Sequence, residues 1–195
     1  KRIEGSVLFA DIVGFTQIAE NIRPEELVSL LNRYFTLITH ACEINGGMVD
    51  KYLGDGVMLV FGAPQPHADH CFSAIACGIL IQRLIAEENR QREQQGKFPI
   101  QFRIGINSGT MLAGNMGSTE RMEYTVVGDT VNVASRLCSL AQAGEIIVSE
   151  DTHKLLGEQF GRRHDRHLAA AGDRLDGRGQ LLLLPRQLLL HPIQQ

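Results

Sequence analysis

Little in this chain points to secretion, to a membrane or to nucleic acid. Only four cysteines occur in 195 residues, Cys42, Cys71, Cys77 and Cys138, and none forms a C-x-x-C pair. A disulfide framework is not expected; the thiols read as reduced and mostly buried, as in a cytoplasmic protein. No apolar run approaches the roughly 20 residues of a membrane-spanning helix. Residues 1–4 run straight into a strand pattern, so no signal peptide is expected. The 19 basic side chains nearly balance the 22 acidic ones, leaving a formal charge of −3, which argues against a dedicated nucleic-acid coat. No repeat of 20–50 residues, P-loop pattern or Ser/His/Asp arrangement is present. What remains is ordinary: 44% of the residues are hydrophobic, which excludes disorder throughout and fits one domain with a tail.

The apolar pattern predicts the elements. Residues 6–12 (SVLFADI) read as a buried strand broken by Gly14. Pro24-Glu25-Glu26 has the proline and acids favoured at a helix N-terminus. Leu27, Leu30, Leu31, Tyr34, Phe35 and Ile38 then recur at helical spacing to about Cys42, and Gly46-Gly47 stops the run. Residues 48–52 and 57–61 are strands joined by Leu53-Gly54-Asp55-Gly56, a hairpin signal. A second long helix covers about 68–91, and a strand covers 100–107 with a short continuation at 111–114. A strand at 124–127, a helix at 129–140, a strand at 146–148 and a short helix at 151–156 follow.

The first six elements spell β-α-β-β-α-β. The fold expected is α+β, a ferredoxin-like split βαβ core with further αβ elements and an antiparallel-rich sheet carrying the helices. Residues 1–160 would form the domain. From about Gly161 arginine, histidine and leucine dominate, and 161–195 reads as a divergent C-terminal segment that could complete the sheet with edge strands.

Two acids stand out. Asp11 is a charge inside an apolar strand, costly unless it is paired or binds a metal. Asp55 sits at the tip of a glycine-flanked turn. In a split βαβ sheet the first strand lies beside the hairpin, so the two carboxylates can meet at one edge, where a hard divalent ion would hold them together and phosphate oxygens would fill its shell. Residues 12–16, with Gly14, Phe15 and Thr16, offer backbone N–H groups at a turn leading to a helix, a natural phosphate cradle. His67-x-x-His70-Cys71 and His164-x-x-His167 have zinc-like spacing but lack a second ligand pair, and are read as solvated or helix-capping histidines.

Three segments, Leu8-Phe9-Ala10-Asp11-Ile12-Val13-Gly14-Phe15-Thr16, Asp50-Lys51-Tyr52-Leu53-Gly54-Asp55-Gly56 and Val127-Gly128-Asp129-Thr130-Val131-Asn132-Val133-Ala134-Ser135-Arg136-Leu137, resemble in correct order the catalytic domains of class III nucleotidyl cyclases. The resemblance implies that Asp11 and Asp55, with Ile12 beside them, hold two Mg²⁺ or Mn²⁺ ions. One ion would activate the ribose 3′-hydroxyl and the other would brace the triphosphate, giving a 3′,5′-cyclic nucleotide and pyrophosphate.

Lys51 stands where the family places a base-selecting lysine, which donates to the acceptor N1 of adenine. Thr125 stands at the partner position. Guanylyl cyclases typically carry glutamate and cysteine there, so ATP is the expected substrate, and the Lys–Thr pair resembles the bicarbonate-responsive soluble subclass. Asn132 would orient the ribose, Arg136 would neutralise charge on the α-phosphate, and Arg103 would contact the β- and γ-phosphates. The family's site forms between protomers, with Asp11, Asp55 and Arg103 from one chain and Lys51, Thr125, Asn132 and Arg136 from the other. A homodimer follows, with no nucleic-acid partner and no membrane segment in this chain, and with regulatory domains covalently linked in the full-length protein.

One departure is visible. The late triphosphate-binding lysine has Asp176 at its nearest match, Leu175-Asp176-Gly177; either Arg174 or Arg178 takes over, or phosphate affinity is reduced. A GGDEF-type diguanylate cyclase shares the topology but its signature hairpin is absent. A non-catalytic cyclase-like domain would usually have lost an aspartate or the Asn–Arg pair, and both are present.

Overall fold

The structure, a computed structural model, describes residues 1–159. Its elements in chain order are β1 (Arg2–Ile12), α1 (Phe15–Asn21), α2 (Pro24–Ile44), β2 (Met48–Leu53), β3 (Gly56–Phe61), α3 (His70–Gln94), β4 (Phe102–Gly117), β5 (Met122–Val127), α4 (Asp129–Leu140) and β6 (Ile146–Val148); residues 150–159 are also helical. The sheet runs β2-β3-β1-β4-β5, with β6 parallel to the first half of β4. The other pairings are antiparallel. The strand order and alternation are those of the expected split βαβ core, with β3 lying between β1 and β2.

Both faces of the central strands are covered, so their sequences are continuously apolar rather than alternating. Leu8, Ala10, Ile12, Val57, Leu59 and Phe61 lie with Tyr34, Ile38 and Cys42 of α2 and Cys71, Ala74 and Ile81 of α3 in the larger core. The odd positions of β1 face the other way: Val7 joins Met58, Val60, Met111, Val126 and Ala134 of α4 in a second core. Strand periodicity therefore carries Asp11 onto the Val7 side of the sheet.

Three sequence expectations are corrected. Residues 102–117 form one strand, because pairing with β1 continues through Gly109, which lies opposite Gly5; a lone glycine does not break a ladder that its neighbours on the strand continue. The seven-residue helix α1 was not expected, being too short to display a period. Finally, α3 is long and apolar enough by composition to cross a membrane, but Cys71, Ala74, Ile75, Cys77, Ile81 and Ile85 of it are buried in the larger core. The readings for 161–195, including Asp176, Arg174, Arg178 and the second histidine pair, lie outside the described residues.

Candidate active site

Asp11 is the last residue but one of β1 and lies opposite Gly56 on one side and Arg103 on the other. Asp55 belongs to the two-residue connection between β2 and β3, whose first residue, Gly54, takes φ 66°. Such a backbone favours glycine and turns the hairpin tightly enough to bring Asp55 beside Asp11. Gly56 makes room for the pair: a Cβ there would lie 3.1 Å from Asp11 Oδ1 and 3.1 Å from the Ala10 carbonyl oxygen. Burial, then the charge of Asp11, pushes the Asp55 carboxyl up to about 6: loss of water disfavours the charged form, and the like charge beside it adds to that.

Arg103 balances part of this charge. Its Nη2 and Nε donate to Asp11 Oδ2 at 2.7 and 3.2 Å, and its Nη1 donates to the Ser139 carbonyl at 3.2 Å. The bond to Asp11, ahead of its charge, raises the guanidinium pKa.

The donor set fits a hard divalent cation. Two carboxylates converge, one is disfavoured in its charged form without a counter-charge, and the glycine opposite leaves space. Among the described residues no group of three or more His, Cys, Asp or Glu could hold a metal. A cation held by Asp11 and Asp55 would therefore need oxygen ligands from backbone, water or substrate, as Mg²⁺ commonly takes them. The Ile12 side chain is buried in the larger core, so only its backbone can face this edge. Gly14 adopts φ 70° at the start of α1. No side chain caps that helix, while Phe15 packs against the core and Thr16 is exposed.

Lys51, Thr125 and Asp50 form a second constellation. Lys51 Nζ donates to Thr125 Oγ1 at 2.9 Å, Thr125 Oγ1 donates to Asp50 Oδ2 at 2.9 Å, and Lys51 Nζ lies 2.9 Å from the same Asp50 oxygen. These residues come from β2 and β5, the opposite ends of the strand order. Asp50 was missed by the sequence reading. Its signal was two adjacent charges in a short strand, which period-two alternation would send to opposite faces. The register of β2 on β3 slips between Val49 and Lys51, so Asp50 is an inserted residue, and that bulge brings both side chains to Thr125.

Asn132 and Arg136 stand four residues apart on α4, both exposed, on one helical face. Neither side chain bonds another described residue, and no hydrogen bond or ion pair joins the Asp11–Asp55–Arg103 group to the Lys51–Thr125 group. One chain thus brings Asp11, Asp55 and Arg103 together at one place and Lys51, Thr125 and Asp50 at another, and bonds Asn132 and Arg136 to neither group. Helix α4 sits close on the sheet at Gly105, where a Cβ would lie 2.1 Å from the Cys138 amide nitrogen and 2.5 Å from the Ala134 carbonyl.

The remaining candidates are structural. His70 is buried, not solvated: its Nδ1 lies 2.8 Å from Ser6 Oγ, which lies 2.6 Å from Ser108 Oγ. Burial, and secondarily His67, lowers its pKa. The four cysteines are free and buried, as expected; burial pushes the Cys42 and Cys138 thiols up to about 12 and Cys71 to about 11.

The sequence profile of the Adenylate and Guanylate cyclase catalytic domain matches residues 3–180. Adenylate cyclase 1 of Rhizobium meliloti is 36% identical over 136 residues, 70% of this chain and 20% of that protein. The chain therefore spans about a fifth of that relative. The crystal structure of the adenylyl cyclase CyaB from P. aeruginosa superposes with a TM-score of 0.77 at 38% identity, covering 81% of this chain and 82% of that one. A guanylyl cyclase crystal structure gives a TM-score of 0.74 at 35% identity, covering 96% and 88%. With the fold, the paired aspartates and the profile in agreement, this chain belongs to the class III nucleotidyl cyclases and carries their catalytic domain.

Proposed function

We propose that this domain is an adenylyl cyclase that converts ATP to 3′,5′-cyclic AMP and pyrophosphate as a homodimer with composite sites. The observation that carries the choice of ATP is the 2.9 Å contact between Lys51 and Thr125, residues 74 positions apart that meet as a donor–acceptor pair. Lysine offers protons to the unprotonated N1 of adenine, whereas the N1 of guanine carries a proton and would meet a second donor. Thr125 accepts from the adenine 6-amino group.

Asp11 and Asp55 would hold divalent cations, Mg²⁺ or Mn²⁺, with the Ile12 backbone facing the same edge. When bound, these supply Lewis-acid activation of the 3′-hydroxyl and charge neutralisation on the triphosphate. The chain's own residues do the positioning. Backbone N–H groups at Gly14, Phe15 and Thr16 face the phosphates, and Arg103 turns from Asp11 toward the β- and γ-phosphates as the carboxylate engages elsewhere. Asn132 orients the ribose, and Arg136 stabilises the charge that grows on the α-phosphate, a contribution of roughly 3–4 kcal/mol for one donor. In the reaction the 3′-oxygen forms a bond to the α-phosphorus and loses its proton, and the bond to the β-phosphate bridging oxygen breaks with its electrons leaving on pyrophosphate.

The dimer reading is supported by the exposed, unpaired Asn132 and Arg136 and by the exposed apolar residues Tyr52, Leu53, Leu112, Met122 and Val127 on strands of the site. The reading places the work where ATP and reduced thiols occur, in the cytoplasm, under regulatory domains covalently linked in the full-length protein. The Lys–Thr pattern also makes stimulation by bicarbonate part of the proposal; a flat response at fixed pH removes that part alone.

The test is product formation by purified protein with Mn²⁺. Cyclic AMP and pyrophosphate appearing in equal amounts from ATP, with GTP at least tenfold slower, is the expected result. Equal or better turnover of GTP overturns the adenylyl reading.

A further inference from the structure

The Asp50 side chain is fully buried although it bears a carboxylate at the edge of the sheet, and its Oδ1 has no hydrogen-bond partner among the described residues. Burying such a group costs free energy that the fold does not require. The bulge that inserts Asp50 into β2 is likewise a departure from regular pairing. Local rules broken together in this way mark a functional constraint.

Proton accounting shows what the constraint accomplishes. A threonine hydroxyl has one proton and two lone pairs, an ionised carboxylate only accepts, and an ammonium only donates. Thr125 therefore gives its proton to Asp50 Oδ2 and receives one from Lys51. Its remaining lone pair is an acceptor, whatever approaches. Without Asp50 the hydroxyl could rotate and donate outward. An acceptor suits the 6-amino group of adenine, while a free donor would equally suit the 6-oxo group of guanine.

We infer that Asp50 is a specificity-determining positioning residue, which fixes the polarity of the Thr125 hydroxyl so that the pocket takes a 6-amino purine and rejects a 6-oxo purine. Asp50 acts on the base through its two partners, accepting the Thr125 proton and pairing with the Lys51 ammonium. The inference rests on the adenylyl reading above and deepens it.

The experiment compares kcat/KM for ATP and GTP in the dimeric wild type, Asp50→Ala and Asp50→Asn, with folding checked by circular dichroism. Removal of the acceptor in Asp50→Ala is expected to lower the ATP-to-GTP ratio about tenfold, the worth of one hydrogen bond, mainly through KM for ATP. Asp50→Asn keeps an oxygen for the Thr125 proton and is expected to hold the ratio within about threefold of wild type. If Asp50→Ala does not fold, Asp50→Leu, closer in volume, takes its place with the same expectation. Equal losses for ATP and GTP show a merely structural role and overturn the inference, as does a loss of discrimination in Asp50→Asn as large as in Asp50→Ala. The wild-type ratio tests the adenylyl reading and the variants' departure from it tests Asp50, so the two fail separately.

Discussion

Replacing Asp55 with asparagine separates the stability of the fold from the chemistry of the site. In the cation-free chain, burial and the neighbouring Asp11 charge push the Asp55 carboxyl from 3.8 up to about 6. The unfolded carboxyl is the stronger acid, so between these values the folded state binds more protons and stability falls as pH rises. Above about 6 the full cost is present, and below 3.8 it is absent. Solvent screens this half-buried turn, so the cost at neutral pH is about 1 kcal/mol. Asp55→Asn, measured in EDTA at pH 7.5, is therefore expected to raise the melting temperature by about 2–4 °C. The gain should disappear near pH 4, and cyclase activity should be lost. With Mn²⁺ added, wild type should gain stability and the variant should not. A variant less stable than wild type in EDTA at pH 7.5, or one still stabilised by Mn²⁺ to the same degree, would refute the reasoning.

Other expectations concern assembly and packing. Asp11→Ala and Arg136→Ala chains, each inactive alone, should regain activity when mixed, because a heterodimer keeps one site with both sets intact; no rescue argues against composite sites. Gly105→Ala should cost about 3 kcal/mol or more in urea unfolding, since the new methyl would overlap the α4 backbone at Cys138 and Ala134; an unchanged midpoint would contradict the close approach. Because burial lowers the His70 pKa below 6.5, the unfolded chain takes up its proton first as pH drops. Stability from this group is present above 6.5 and is lost below it. Wild type should thus lose more stability than His70→Gln between pH 7 and 5, measured by denaturant titration at each pH; parallel losses would contradict the burial of a neutral imidazole.

The order and type of the long elements were legible because each is announced by a physical stop. Pro24 starts α2, Gly46-Gly47 ends it, and the glycines around Asp55 turn the hairpin. The bounds of α4 and β6 agree with the sequence reading residue for residue. What was not legible depended on tertiary pairing. Gly109 suggests a break, but β1 carries the ladder across it. His70 looks like a surface residue near a helix start until Ser6 and Ser108 meet beneath it. Within the site, the meeting of Asp11 and Asp55 followed from topology, whereas the tie between Arg103 and Asp11 needed the strand register. Asp50 needed the bulge, and a one-residue slip in pairing leaves no sequence signature beyond the doubled charge.

The central claim is that Asp11 and Asp55 share divalent cations over the nucleotide's phosphates. The decisive measurement is Mn²⁺ binding followed by electron paramagnetic resonance, with a non-cyclisable ATP analogue, on wild type, Asp11→Ala and Asp55→Ala. Wild type is expected to bind Mn²⁺ in a nucleotide-dependent way, and each single substitution to weaken that binding at least tenfold. Mn²⁺ bound equally well by all three proteins would contradict it.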